Sequence, residues 1–354
     1  MLREWIDPNK LKYCGLSWNS HEDTIVLIQT ILEQEHFHVK KKKDDDDDGD
    51  DDDDNDEVDD DNEYLWSYFS RNKSNESIKI LKENPHRIHW ISLSGNTNEG
   101  AIELLRENKD KINWHYLSCN THEGAIALLR ENPDKISWSW LSENTNDGAI
   151  QLLRENQEKI DWKYLSKNTN DGAIQLLREN PNKIEWSYFS ANSNDGAIEL
   201  LRLNPDKIEW DYLSSNTNDN AIQLLKENPH RIHWATLSIN KNEGAIELLR
   251  LNPDKVDLDI LTRNCSEGAM VLLHELLIKN KNKINDWKEL SANLHDTAIQ
   301  ILRENPNKID WILLSRNCND EAIKLLQENP DKINWYCFSK NPAIFRDTPS
   351  YVLK

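Results

Sequence analysis

The chain has 354 residues, 14 tryptophans, only 37% apolar residues and a formal net charge of −20. Sixteen of its acids fall between residues 44 and 63, behind Lys40 to Lys43; without that run the balance is 47 acids against 39 bases, or −8. Neither part offers the basic surface that phosphate backbones or anionic membranes require, so nucleic acid and membrane are excluded as expected direct partners.

A tryptophan returns every 24 residues at Trp66, Trp90, Trp114, Trp138, Trp162, Trp186, Trp210 and Trp234. Leu258 takes the next slot, and after five extra residues Trp287, Trp311 and Trp335 resume the beat. A fixed period of this size marks a stack of small units, each unable to bury its apolar face alone.

In chain order, residues 1–36 read as a degenerate capping repeat, with Tyr13 in the Trp slot followed by Leu16, Ser17 and Asn19. Terminal units are expected to be atypical because one face meets water. Residues 37–62, the Lys and Asp runs, cannot supply a core and are read as a disordered acidic loop. Residues 63–345 form the regular array, with an insertion near 275–286, and 346–354 are a tail.

Within a repeat, Trp is position 0, Leu or Phe lies at +3, Ser at +4 and Asn at +6. An acid follows at +9, usually Gly at +10, then Ala and Ile at +11 and +12 and Leu-Leu at +14 and +15. Asn-Pro at +18 and +19 reads as a helix start, since Asn caps well and Pro is tolerated at the first helical position. A first short helix is expected from there through Ile and Trp to Ser +4. Thr/Ser-Asn-Asp/Glu then offers the cap of a second helix. Its acid at +9 and its Arg at +16 suit the two ends of the helix dipole, and the apolar stripe fits a helical period. Seven of the ten glycines occupy +10, where close approach between stacked helices is expected.

A competing strand–helix unit is suggested by the alternation of Ile −2, Trp 0 and the aromatic at +2, as in INWHY at 112–116. The Asn-Pro-Asp-Lys entry favours helix. The predicted class is therefore all-α: an α-solenoid, or superhelix, of about thirteen short helix-turn-helix repeats of 24 residues.

The run NPDKIEWDYLSSN at 204–216, followed by AIQLL at 221–225, resembles a tandem repeat found in proteins of giant DNA viruses that infect amoebae. That resemblance spans 64–345 and, weakly, 13–28, and it implies an α-solenoid acting as an interaction scaffold. The second helix of those repeats often opens Asn-Pro-x-Ala-Ile, which only Asn341-Pro342-Ala343-Ile344 approaches here.

The Trp row (Trp66, Trp90, Trp114, Trp138, Trp162, Trp186, Trp210, Trp234, Trp287, Trp311, Trp335) is expected to be core. At +2 stand Tyr68, Tyr116, Trp140, Tyr164, Tyr188 and Tyr212, giving way to Thr236, Ile260, Glu289, Leu313 and Cys337. That drifting aromatic row is the candidate partner-binding strip, Tyr and Trp being favoured anchors. Ser +4 and Asn +6 are expected to serve backbone groups, and the rows at +9 and +16 to pair as ions along one face.

No catalytic residue, cofactor site or metal site is predicted. The pairs His86/His89 and His230/His233 supply too few ligands. Asp44, Asp46, Asp48 and Gly49 imitate the start of a calcium loop whose twelfth position is Asn55. Five scattered cysteines (Cys14, Cys119, Cys265, Cys318, Cys337) without a CxxC suggest a reducing compartment. With no secretory h-region and no apolar run long enough to span a bilayer, the expected location is cytoplasmic: host cytoplasm or virion if viral. The expected function is non-enzymatic binding of a protein partner along an extended surface by a monomer or weakly self-associating chain. The acidic loop would attract a basic partner. The alternative is a structural or self-assembling component of a virion or virus factory.

Overall fold

The computed structural model of the protein describes residues 2–7, 10–11, 60–279 and 284–345. The expected degenerate repeat at 13–28, the acidic segment as far as residue 59 and the tail 346–354 lie outside them. A helix, Asp60–Arg71, begins inside the stretch read as loop.

The fold is an all-α solenoid of short helical units. Among the described residues there is no β-strand, only one isolated antiparallel bridge between Leu2 and Phe345. The strand–helix alternative is therefore not what the alternating Ile, Trp and Tyr build. The chain divides into two compact parts, one made of Met1–Lys111 with Trp311–Lys354 and the other of Ile112–Asp310. In each, leading helices pack on leading helices of the neighbouring repeats, and trailing helices on trailing ones.

The repeat at 186–209 shows how the unit is made. Trp186–Ser190 is a one-turn α-helix, Asp195–Leu203 a nine-residue helix and Pro205–Lys207 a 3₁₀ turn. The single leading helix expected from Asn-Pro through Trp is thus broken in two. Ile208 is extended (φ −67°, ψ 121°), and the helix restarts at Trp210. Some restarts have a side-chain cap at −1, where Asn113 Oδ1 accepts from the Tyr116 N–H (3.2 Å) and Asp161 Oδ1 from that of Tyr164 (3.3 Å), whereas Glu185 and Glu209 make no such bond. Asn at +18 does not cap a following helix as expected. It closes the preceding one, with Asn204 Nδ2 donating to the Leu200 carbonyl at 2.8 Å. An amide side chain supplies a donor there, where the last helical carbonyls have none.

The trailing helix opens as its sequence indicates. Asn194 Oδ1 accepts from the Gly196 N–H at 2.7 Å, and Asp195 lies in the first turn and Arg202 in the last. Its apolar stripe is the core: Ala197, Ile198, Leu200 and Leu201 are buried, as are Phe189 and Ile208 of the leading segments. Burial of each large aliphatic side chain contributes roughly 1.5–3 kcal/mol. Helices this short do not persist alone, so stacking holds them.

Gly at +10 marks the tightest step of the stack. A Cβ on Gly172 would lie 2.9 Å from Ile150 Cγ2, and one on Gly100 2.7 Å from Ile78 Cγ2. The insertion lengthens one trailing helix to Glu267–Lys279, thirteen residues against nine elsewhere. Beyond it, Trp287 stands before the helix Lys288–Ala292 instead of opening it.

The first part contains a contact that joins distant ends of the sequence. Arg3 donates its backbone N–H to the Ile344 carbonyl (2.9 Å) and its Nε to the Ala343 carbonyl (2.6 Å), while its Nη2 reaches Asp320 Oδ1 at 2.8 Å. Trp5 packs on Phe338 with ring centroids 5.7 Å apart, and Ile6 is buried.

Candidate functional site

From Trp90 onward each leading helix is a single turn or little more, so its side chains divide sharply; the helix that carries Trp66 is longer, Asp60–Arg71. Positions +3 and +4 point into the stack: Leu117, Ser118, Leu141, Ser142, Leu165 and Ser166 are all fully enclosed. Position +2 is the exposed aromatic in three repeats and is enclosed at Ser92 and Cys337. Tyr116 is 51% exposed, Trp140 45% and Tyr212 45%, while Tyr164 and Tyr188 are half-buried. These five belong to the second part. Tyr68 lies in the first, with its hydroxyl accepting from Asn72 Nδ2 at 2.8 Å. Burial raises the Tyr68 pKa against that hydrogen bond, so this phenol is already engaged within the fold. The repeat between them places Ser92 at +2, a gap in the row.

Cations sit among the rings. Lys167 Nζ lies 4.6 Å from the Tyr188 ring centroid and 5.3 Å from that of Tyr164, and Lys163 Nζ lies 5.2 Å from Tyr188. Hydrogen bonding to Tyr188 raises the Lys163 pKa, keeping the ammonium charged. Tyr188 and Tyr212 are 6.5 Å apart in a tilted pair, and His115 meets Trp140 edge-on at 6.3 Å. The face thus combines flat, half-wet rings with two ammonium groups. Aromatic anchors with polar tips suit recognition of another polypeptide.

The Trp row is placed differently from the core expected of it. All eleven rings are half-buried, and none is among the enclosed side chains. The enclosed positions are Leu or Phe +3, Ile −2 and the trailing-helix stripe. The Trp rings cover them from outside: Trp186 meets Phe189 edge-on at 5.8 Å, and Trp335 meets Phe338 likewise. The outer ring face carries the cation at +21, Arg87 over Trp66 and Lys159 over Trp138.

Ser +4 and Asn +6 do serve backbone groups, but those of adjacent repeats. Ser142 Oγ accepts from the Asp161 N–H at 3.0 Å and donates to the Trp138 carbonyl. Asn168 Nδ2 donates to the carbonyls of Ser142 (3.0 Å) and Asn144 (2.9 Å) one repeat back, while its Oδ1 takes the Asn170 N–H. Through Asn144, Asn168, Asn192, Asn216, Asn240 and Asn264 this forms a continuous buried ladder in the second part.

A second ladder runs at +8, which the sequence reading did not single out beyond a cap. Asn194 Nδ2 bonds the Thr169 carbonyl and Asp171 Oδ1, and Asn218 does the same to Ser193 and Asp195. Hydrogen bonds from Asn218 and Asn220 lower the Asp195 pKa. The acids Asp171, Asp195 and Asp219 at +9 therefore pair with asparagine, where an ion ladder with +16 was expected. Arg154 and Arg202 instead reach Glu179 and Glu227 at +17 of the next repeat, and Arg178 and Lys226 reach Glu199 and Glu247 at +13. The cation at +16 lies at the end of its helix and the acid at +9 at the start of its own, about two turns apart along the helix. Where Leu203 and Leu251 replace that +17 glutamate, they stand 78% and 72% exposed.

Among the described residues no group of three or more His, Cys, Asp or Glu is arranged to hold a metal ion, and no helix is long and apolar enough to cross a membrane. His89 and His233 act as caps, each Nδ1 accepting from the backbone N–H three residues on. The chain matches no protein-family model, and comparison with curated proteins and with solved structures finds no similar one.

Proposed function

We propose that the protein is a non-catalytic repeat scaffold that binds another protein along the outward face of its leading helices. The observation that carries this reading is the exposure of Tyr116, Trp140 and Tyr212 at one repeat position, with about half of each ring in solvent. Leucine, serine and asparagine at +3, +4 and +6 hold the stack, so these rings are not needed for it. The net charge of −20, concentrated in residues 44–63, adds attraction for a basic partner. With the resemblance to giant-virus repeats, the proposed setting is the cytoplasm of an infected amoeba or the virion. A structural, self-assembling role is the second reading, and the exposed Leu203 and Leu251 favour it.

The test is affinity purification of the full chain from amoeba extract beside the triple variant Tyr116→Ser, Trp140→Ser, Tyr212→Ser. The partner should be lost from the variant while its Tm stays within about 3 °C of the parent. A partner retained by the variant, or a Tm that falls with binding, refutes this face as the binding surface.

A further inference from the structure

Residues 2–7 and 10–11 pack beside the helix Trp335–Ser339, where the trailing half of a repeat stands elsewhere in the array. Residues 335–345, the last described, are the leading half of a repeat: the helix Trp335–Ser339, the ladder residue Asn341 and a 3₁₀ turn, Pro342–Ile344. Residues 7–13, DPNKLKY, repeat the motif NPNKIDW of 305–311 in register, with Pro8 for Pro306, Lys10 for Lys308 and Tyr13 for Trp311. Lys10 keeps the geometry of that register. Its Nζ lies 5.2 Å from the Trp335 ring centroid, as Lys159 lies over Trp138 at 4.7 Å and Arg87 over Trp66 at 5.5 Å.

Arg3 repairs the second asparagine ladder. In a regular step the +8 asparagine of one repeat bonds the +9 acid of the repeat before it, as Asn194 bonds Asp171. The last repeat has Ala343 at +8, which has no side-chain donor for Asp320. Arg3 Nη2 supplies that bond at 2.8 Å, and its Nε and backbone N–H take the Ala343 and Ile344 carbonyls. Trp5 covers Phe338 and Ile6 is 4% exposed, so the segment is anchored by apolar burial as well as polarity.

We propose that the end of the last repeat, Trp335–Phe345 with Asp320, is an acceptor site for a Leu-Arg-Glu-Trp-Ile segment, and that its occupant in trans is residues 2–11 of a second copy of this chain. The segment meets partners 317 to 343 residues away in sequence. A second copy presents the same atoms to the same acceptor. The copy in cis wins at low concentration through its effective concentration alone, and exchange grows as protein concentration rises.

The test uses full-length Arg3→Asp and Asp320→Arg chains, refolded separately and as an equal mixture at high concentration, then weighed by native mass spectrometry. Each alone opposes like charges at its own junction. In the mixed pair both junctions are matched, so the heteromeric species should exceed either homomer by about tenfold. The double variant Arg3→Asp, Asp320→Arg should behave as the parent, which separates charge matching from misfolding. Adding Ile6→Asp to both chains should abolish the mixed species. A mixture that stays a sum of two monomers overturns the proposal, as does association that survives Ile6→Asp.

Discussion

The buried asparagine ladder makes a quantitative demand on one residue. Asn168 is 1% exposed and makes three hydrogen bonds to backbone, two across the repeat boundary and one to Asn170. In Asn168→Ala two carbonyls and one N–H lose that partner inside the stack. At about 1 kcal/mol for each bond, and up to 1–3 for each polar group left buried and unpaired, the expected loss is about 3–5 kcal/mol. Asn168→Asp should be worse at neutral pH, because it sets a carboxylate against the Ser142 and Asn144 carbonyls. Burial and those carbonyls raise the folded-state pKa of that aspartate. The variant therefore gains stability as pH falls through the raised value, where the acid form donates one bond again. The comparison is Asn170→Ala in the same repeat, which removes the cap over Gly172 and two solvent-exposed bonds to the repeat before, to the Thr145 carbonyl and Asp147, and should cost about 1–2 kcal/mol. Urea unfolding followed by tryptophan fluorescence gives the global effect. Hydrogen exchange at residues 142–170 gives the local one, needed because long arrays depart from two-state behaviour. If Asn168→Ala costs no more than Asn170→Ala, the ladder does not hold the stack.

Three further outcomes follow from the packing. Gly172→Ala should lower stability by about 1–2 kcal/mol, since the added methyl meets Ile150 Cγ2 at 2.9 Å and the strain outweighs the helix propensity gained; an unchanged denaturation midpoint would count against it. Leu165→Ala should cost about 2–5 kcal/mol because that side chain is fully enclosed, and more than Trp162→Phe, whose ring still covers the half-buried site; the order is checked by thermal melts. Asp259 holds the start of the segment after the insertion, accepting from the Asn285 N–H and Nδ2, both at 2.7 Å, and from the Asp286 N–H. Burial raises its pKa, but the bonds from Asn285 and Asp286 and the charge of Arg263 outweigh this and lower it overall. Its contribution is thus present at neutral pH and lost only as pH falls through a value below the usual carboxylate range. Asp259→Ala should speed hydrogen exchange at 284–287 at pH 7, and acidification to that range should do the same in the parent.

The trailing helix was legible because every signal in it agrees: Asn194 as cap, Asp195 and Arg202 at the favoured ends, and Ala197, Ile198, Leu200 and Leu201 on one face. The leading half was not, because Pro205-Asp206-Lys207 and Trp210 each start a helix and Ile208 between them is extended. No local preference for Ile dictates that break; the Ser190 hydroxyl one repeat back does, by taking the Glu209 N–H. The aromatic row at +2 was visible as a pattern, but its exposure depends on a helix of one turn. The sequence reading began the degenerate unit at Tyr13 and passed over Pro8 and Lys10 before it; the contacts of Lys10 with Trp335 and of Arg3 with Asp320 are what bring that segment out.

Recurrence within the chain tracks contact between repeats better than it tracks burial. Trp at 0 is half-buried yet recurs almost without exception, because its ring covers +3 and carries the cation at +21. Asn +8 is partly exposed and recurs because it bonds the repeat before it. Position +2 varies from Tyr116 and Trp140 to Thr236 and Glu289, none of them enclosed, as expected of a site with little part in the stacking step. Such positions are free to be shaped by what lies outside. The consequence is measurable: Tyr116→Thr, the residue found at 236, should change stability by less than about 0.5 kcal/mol. Asn120→Thr in the same repeat, at a 2% exposed ladder position, should cost several-fold more in the same urea titration. Equal costs would mean that the drifting row is part of the stack, and the case for it as a binding face would fall with that result.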